Sequence, residues 1–152
     1  MSRELEKGNA DVVLLYPDEL LIAKVGRWVA ARAGCRLRVS RSRSLPEIRE
    51  AVKGAAAVVV DATGDHAQAA DALLQAVARR GAKAVAVYTE RLEEGFELFV
   101  RRQGALLLVG PLSDACWEGF LAPRVRAALT ERPAAVPGLL PASKRRRPRR
   151  AA

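Results

Sequence analysis

Aromatic side chains are scarce in this sequence, which has three phenylalanines, two tyrosines and two tryptophans among 152 residues. Trp28, Trp117 and Phe120 have no interleaved basic residues, so they read as core or helix-interface residues rather than a stacking platform for bases. Histidine is scarcer still. His66 is the single one, no Cys, His or acidic cluster stands at ligand spacing around it, and it reads as a solvated helix start rather than a metal ligand. Cys35 and Cys116 are far apart and lack metal-like spacing, so both are expected as buried small hydrophobes in a reducing compartment, not as a disulfide. No apolar run approaches the roughly 20 residues of a membrane-spanning helix. The charged start Met1-Ser-Arg-Glu-Leu-Glu-Lys has no apolar stretch of the secretory kind. These absences lead to the expectation of a cytoplasmic protein.

Half of the residues are hydrophobic, mainly Ala, Val and Leu, and the length leaves room for one domain with a proper core. The formal net charge of +9 suggests nucleic acid until the charges are located. Lys144, Arg145, Arg146, Arg147, Arg149 and Arg150 hold six of them, and the remaining twenty Lys and Arg against seventeen Asp and Glu leave a net of only +3. The organisation read from these shifts is an N-terminal extension over 1–9, a domain over 10–130, and a disordered Pro/Ala linker with a basic tail over 131–152.

Five short apolar runs rich in Val and Leu read as strands: Val12 to Tyr16, Leu37 to Ser40, Ala56 to Val60, Ala84 to Tyr88 and Ala105 to Val109. Around the second run, arginines alternate with apolar residues, as a half-wet strand at a sheet edge requires. Helical periodicity fills the intervals. Leu21, Val25, Trp28 and Val29 mark one helix, with Gly34 as its stop. Ser44-Leu-Pro-Glu47 has capping-box form ahead of Ile48 and Val52. Ala69, Leu73, Ala76 and Val77 lead to a stop at Gly81, and Leu92, Phe96, Phe99 and Val100 to one at Gly104. The last helix runs from about Asp114 to Thr130, with a kink or a division expected at Pro123. Strand and helix alternating five times predict an α/β fold with a five-stranded parallel sheet and helices on both faces. Chemistry in such a sheet gathers at the carboxyl ends of the strands.

Those ends carry Tyr16-Pro17-Asp18-Glu19, then Asp61, then Tyr88-Thr89-Glu90, then Gly110-Pro111. With the intervals between Gly34, Asp61, Thr89 and Gly110, they resemble the receiver domain of bacterial response regulators over about residues 10–130. The resemblance implies a flavodoxin-like sheet of strand order 2-1-3-4-5. It places Asp61 at the phosphoacceptor position, Thr89 at the phosphoryl-oxygen position, and Asp18 with Asp61 at a Mg²⁺ site, Glu19 being a substitute for the acid that Pro17 replaces. Leu107 stands at the switch position together with Thr89. Gly110 falls where the family has a lysine, although Pro111 after it is kept, and Glu90 is a bulky acid where a small residue usually leaves the pocket open. A carboxylate attacking phosphorus needs a cation and positioned donors on the transferring oxygens. Loss of one comparable donor costs about 2.7–4 kcal/mol of transition-state stabilisation. The expectation is therefore weak phosphorylation or none, Mg²⁺ binding in doubt, and no enzyme activity.

The resemblance implies two-component signalling through a protein partner, a histidine kinase or an effector, on the face of the fourth helix, fifth strand and fifth helix, where homodimers also form. A nucleotide-binding reading of Thr63-Gly64-Asp65 fails for want of the glycines and lysine of a phosphate loop. The alternative reading rests on the tail. Six cations in seven residues would bind nucleic acid without sequence preference, or an anionic surface, in a salt-sensitive way.

Overall fold

The computed structural model of the chain describes residues 9–80 and 84–134. Gly81 and the cations of the tail lie outside the described residues. The elements alternate as the hydrophobic pattern requires: β1 (Ala10–Leu15), α1 (Glu19–Ala30), β2 (Cys35–Ser40), α2 (Leu45–Val52), β3 (Ala57–Asp61), α3 (His66–Arg80), β4 (Val85–Thr89), α4 (Glu94–Arg102), β5 (Leu106–Val109) and α5 (Asp114–Ala134). The five strands form one parallel sheet in the order β2-β1-β3-β4-β5. This is the flavodoxin-like arrangement expected.

The sheet is covered on both faces, so its three central strands carry side chains that are buried in both directions. Val58 and Val60 of β3 pack with Ile48 and Val52 of α2, Leu73 and Ala76 of α3, and Val100 of α4. The alternate residues Ala57 and Val59 pack with Leu21, Val25 and Val29 of α1 and with Trp117, Phe120, Leu121 and Val125 of α5. Removing apolar surface of this kind from water is the main force holding the layers, at about 25 cal/mol per Å². β2 is one edge of the sheet, where Arg36 and Arg38 both pair with Asp11 of β1. β5 is the other edge, and Leu106 and Val109 on it are exposed.

Local chemistry sets the helix starts. Asp18 caps α1 by accepting from the Leu21 N–H at 2.8 Å, Ser44 caps α2 by accepting from Glu47 N–H at 3.5 Å, and Asp65 accepts from Gln68 N–H at 3.1 Å at the start of α3. Gly34, Gly54 and Gly104 take positive φ where the chain turns after α1, α2 and α4.

Four expectations need correction. Cys116 is exposed rather than buried, because it stands on the first turn of α5 away from the sheet-facing Trp117 and Phe120. Helix α5 is a single element through Pro123, and it continues to Ala134, past the boundary expected at 130. Leu92 is exposed and precedes α4 instead of lying on its buried stripe. His66 opens α3 as foreseen but is not solvated: its side chain is 21% exposed, and it stacks on Phe96 with ring centroids 4.3 Å apart. Trp28 is an interface residue between α1 and α5, its indole N–H donating to Glu118 at 2.6 Å.

Candidate functional site

β1, β3 and β4 end side by side, with Leu15 against Val60 and Asp61 against Tyr88. Asp61 is the last residue of β3 and is 4% exposed. A buried carboxylate has to be satisfied, and here the chain satisfies it itself. Oδ2 accepts the Asp18 backbone N–H at 2.9 Å. Oδ1 accepts the Thr63 N–H at 2.9 Å and the Thr63 hydroxyl at 2.6 Å. The start of α1 is thereby tied to the end of β3, and the loop after β3 folds back over the carboxylate. Asp61 caps no helix, since Asp65 does that for α3.

Asp18 is thus brought to Asp61, but through its backbone. Its carboxylate faces the first turn of α1, where Oδ1 accepts from Leu21. Glu19 is exposed in that same turn. Pro17 supplies no side-chain donor atom, and among the described residues no three His, Cys, Asp or Glu side chains are grouped to hold a metal ion. The arrangement does not fit a divalent cation: Asp61 already carries three hydrogen bonds, the Asp18 carboxylate caps α1, and the nearby Glu90 accepts from Tyr88 instead of joining them as a third ligand.

Thr89 ends β4 and is fully buried. Its hydroxyl donates to the Arg91 carbonyl at 3.0 Å and accepts from the Arg91 N–H at 3.3 Å. His66 Nε2 stands 3.4 Å from the same oxygen, and His66 Nδ1 lies 3.0 Å from Glu93. The hydroxyl therefore serves the turn between β4 and α4, and no hydrogen bond joins it to Asp61. An open polar hollow of about 310 Å³ beside it is lined by Thr63, Asp65, His66, Arg91 and Glu93. Leu107 is half-buried and packs against the α2/α3/α4 core.

The residue that sequence reasoning missed is Tyr88. Its ring is buried beside Trp117, with centroids 5.7 Å apart, and its hydroxyl donates to Glu90 at 3.0 Å. Burial, then the Glu90 hydrogen bond, then the negative fields of Glu90, Asp61 and Asp18 push the phenol well above its ordinary range. The signal was a tyrosine and an acid two residues apart at the end of a strand, on one side of the sheet. Lys24 of α1 also reaches this rim, but its amine donates to the Leu112 carbonyl at 3.3 Å.

No family model matches the sequence, and no curated protein matches it significantly. Solved structures do. A CheY-like TadZ protein from Pseudomonas aeruginosa has a TM-score of 0.63 at 18% identity, over 76% of this chain and 99% of that one. An orphan response regulator of H. pylori gives 0.61 at 17% identity, over 79% and 99%. A pilus assembly-related protein from Burkholderia pseudomallei gives 0.58 at 14% identity, over 79% and 92%. The fold of this chain is that of the CheY-like receiver domains.

Proposed function

We propose that this chain is a receiver-like signalling module that works through protein contacts, with weak phosphorylation of Asp61 or none. The observation that carries the reading is the state of Asp61. A receiver carboxylate ready to attack phosphorus needs a free oxygen, a cation beside it and donors waiting for the phosphoryl group. Here three hydrogen bonds from Asp18 and Thr63, two on Oδ1 and one on Oδ2, take most of the roughly four acceptor positions of the carboxylate. The hydroxyl of Thr89 is engaged by Arg91. Glycine stands where the resemblance calls for lysine, so Mg²⁺ and a phosphoryl group would enter a site lacking the partners of both. Enzymatic turnover is not part of this reading.

The output surface we assign is the face of α4, β5 and α5. Leu98 of α4 with Leu106 and Val109 of β5 gives it exposed apolar side chains, which favour a protein partner or a second copy. One structural neighbour is a pilus assembly-related protein, so an assembly role belongs to the range of outputs proposed for these contacts.

The deciding experiment offers acetyl phosphate and Mg²⁺ to the purified chain and weighs it intact. We expect no added phosphoryl mass. An adduct on most of the protein that disappears in Asp61→Asn would defeat the proposal.

A further inference from the structure

Gly110 follows β5 at the mouth of the site, and its backbone does not call for glycine. Its φ lies outside the left-handed region that Gly34, Gly54 and Gly104 adopt. The reason lies in what surrounds it. A Cβ on residue 110 would stand 2.2 Å from the Tyr88 hydroxyl oxygen, 2.5 Å from Cε1 and 2.6 Å from Cζ. Carbon atoms in contact sit about 3.5–4.0 Å apart, so these approaches are deep in the repulsive range. The ring is also held in place. It is 7% exposed, lies against Trp117, and is bonded to Glu90 through its hydroxyl. The hollow left between Asp18, Lys24, Tyr88, Glu90 and Trp117 measures about 30 Å³, room for a water or two and not for a side chain.

We infer that Tyr88 is a plug: its ring fills the space that a side chain at position 110 would need, and Glu90 fastens it there. Residue 110 is glycine because of the ring, and no cation can reach Asp61 from that position while the ring stays. The inference rests on the reading of the mouth as a disused receiver site. It adds the residue that excludes a side chain at position 110.

A four-member cycle in the full chain tests it, with thermal melts of the wild type, Gly110→Ala, Tyr88→Val and the double variant. Neighbours that share one space are strongly non-additive. With Tyr88 present, Gly110→Ala lowers Tm by several degrees. It also changes the near-ultraviolet circular dichroism of the Tyr88–Trp117 pair, because the ring must shift. In the Tyr88→Val background the same change moves Tm by less than about 1 °C, since the obstructing atoms are gone.

Equal losses in both backgrounds would overturn the inference by showing that the backbone needs glycine. No loss in either would overturn it by showing that the ring steps aside. Should Gly110→Ala fail to fold, recovery of folded protein in the double variant supports the plug, and a double variant equally unfolded sinks it. Phosphoryl uptake by the wild type from acetyl phosphate would count against the proposed function alone, because the melts report on the ring whether or not Asp61 accepts a phosphoryl group.

Discussion

Asp61 shows how one residue type can keep its position in a site and change its work. Its carboxylate is an internal hydrogen-bond hub that holds the β1–α1 and β3–α3 loops together. Thr63→Val removes the hydroxyl donor and leaves the N–H. Because Thr63 is exposed and water can partly replace it, the expected loss is about 1 kcal/mol in urea unfolding. Asp18 separates capping from metal binding. Asp18→Ala should cost about 1 kcal/mol through the lost cap, while Asp18→Asn should stay close to the wild type. A Mg²⁺-dependent rise in stability that Asp18→Asn abolishes would show instead that the carboxylate binds metal. Tyr88 supplies a pH signature, since its folded phenol is raised from the ordinary value of 10.0. Its protonated form supports the fold fully below that value, and the support is lost as pH rises through the folded titration. Stability should therefore decline above about pH 10. A tyrosinate absorbance that appears at lower pH in urea than in the native chain checks the direction. Tyr16, also raised mainly by burial, shifts the same way. That Asp61 and Thr89 end their strands and that Asp18 stands just ahead of α1 was legible from the hydrophobic pattern. The meaning of Gly110 was not, because it lies in contact with a ring 22 positions away in the chain, and periodicity carries no record of such a contact.

At the scale of elements, hydrophobic patterning located all five strands and five helices, since burial on both faces writes continuous Val-rich runs. It erred where a local partner overrode the pattern. His66 looked solvated, yet Phe96 and Glu93 from another element cover it. Pro123 suggested a kink or a division, and α5 is not divided there, with Trp117, Phe120, Leu121 and Val125 gripping the sheet on either side. The helix pair α1 and α5 is tied by Glu118, which accepts from Trp28 and pairs with Arg32. Glu118→Ala should alter the fluorescence of Trp28 while leaving Asp61 and its bonds undisturbed. On the opposite flank, Leu98→Glu and Leu106→Glu should leave the melt within about 0.5 kcal/mol of the wild type, as exposed positions do. If α4 and β5 form a face for a second copy, the same pair shifts any dimer of the wild type to monomer in analytical ultracentrifugation.

For the whole molecule, charge is divided between a near-neutral body and a cationic end. The tail's six positive charges lie outside the described residues, and their effect is a solution property. Neutralising up to six phosphates would give a slope of roughly −5 in log affinity against log salt on duplex DNA. Truncation after Pro141 should flatten that dependence, and equal binding by the truncated chain would remove the tail from consideration. The fold itself could be inferred from the alternation of strands and helices. The output could not, because a fold hosts many functions and contacts made with another protein leave little trace in one sequence.

The two margins of the sheet differ in kind. At β2, guanidinium groups anchored on Asp11 crowd the border and deter a newcomer strand. The border at β5 carries Leu106 and Val109 with no charge among its four residues. Among the described residues, β5 is the margin open to strand addition and β2 the one guarded against it. Pairing of two copies through these margins would accordingly close after one step, where fibre growth needs two receptive sides.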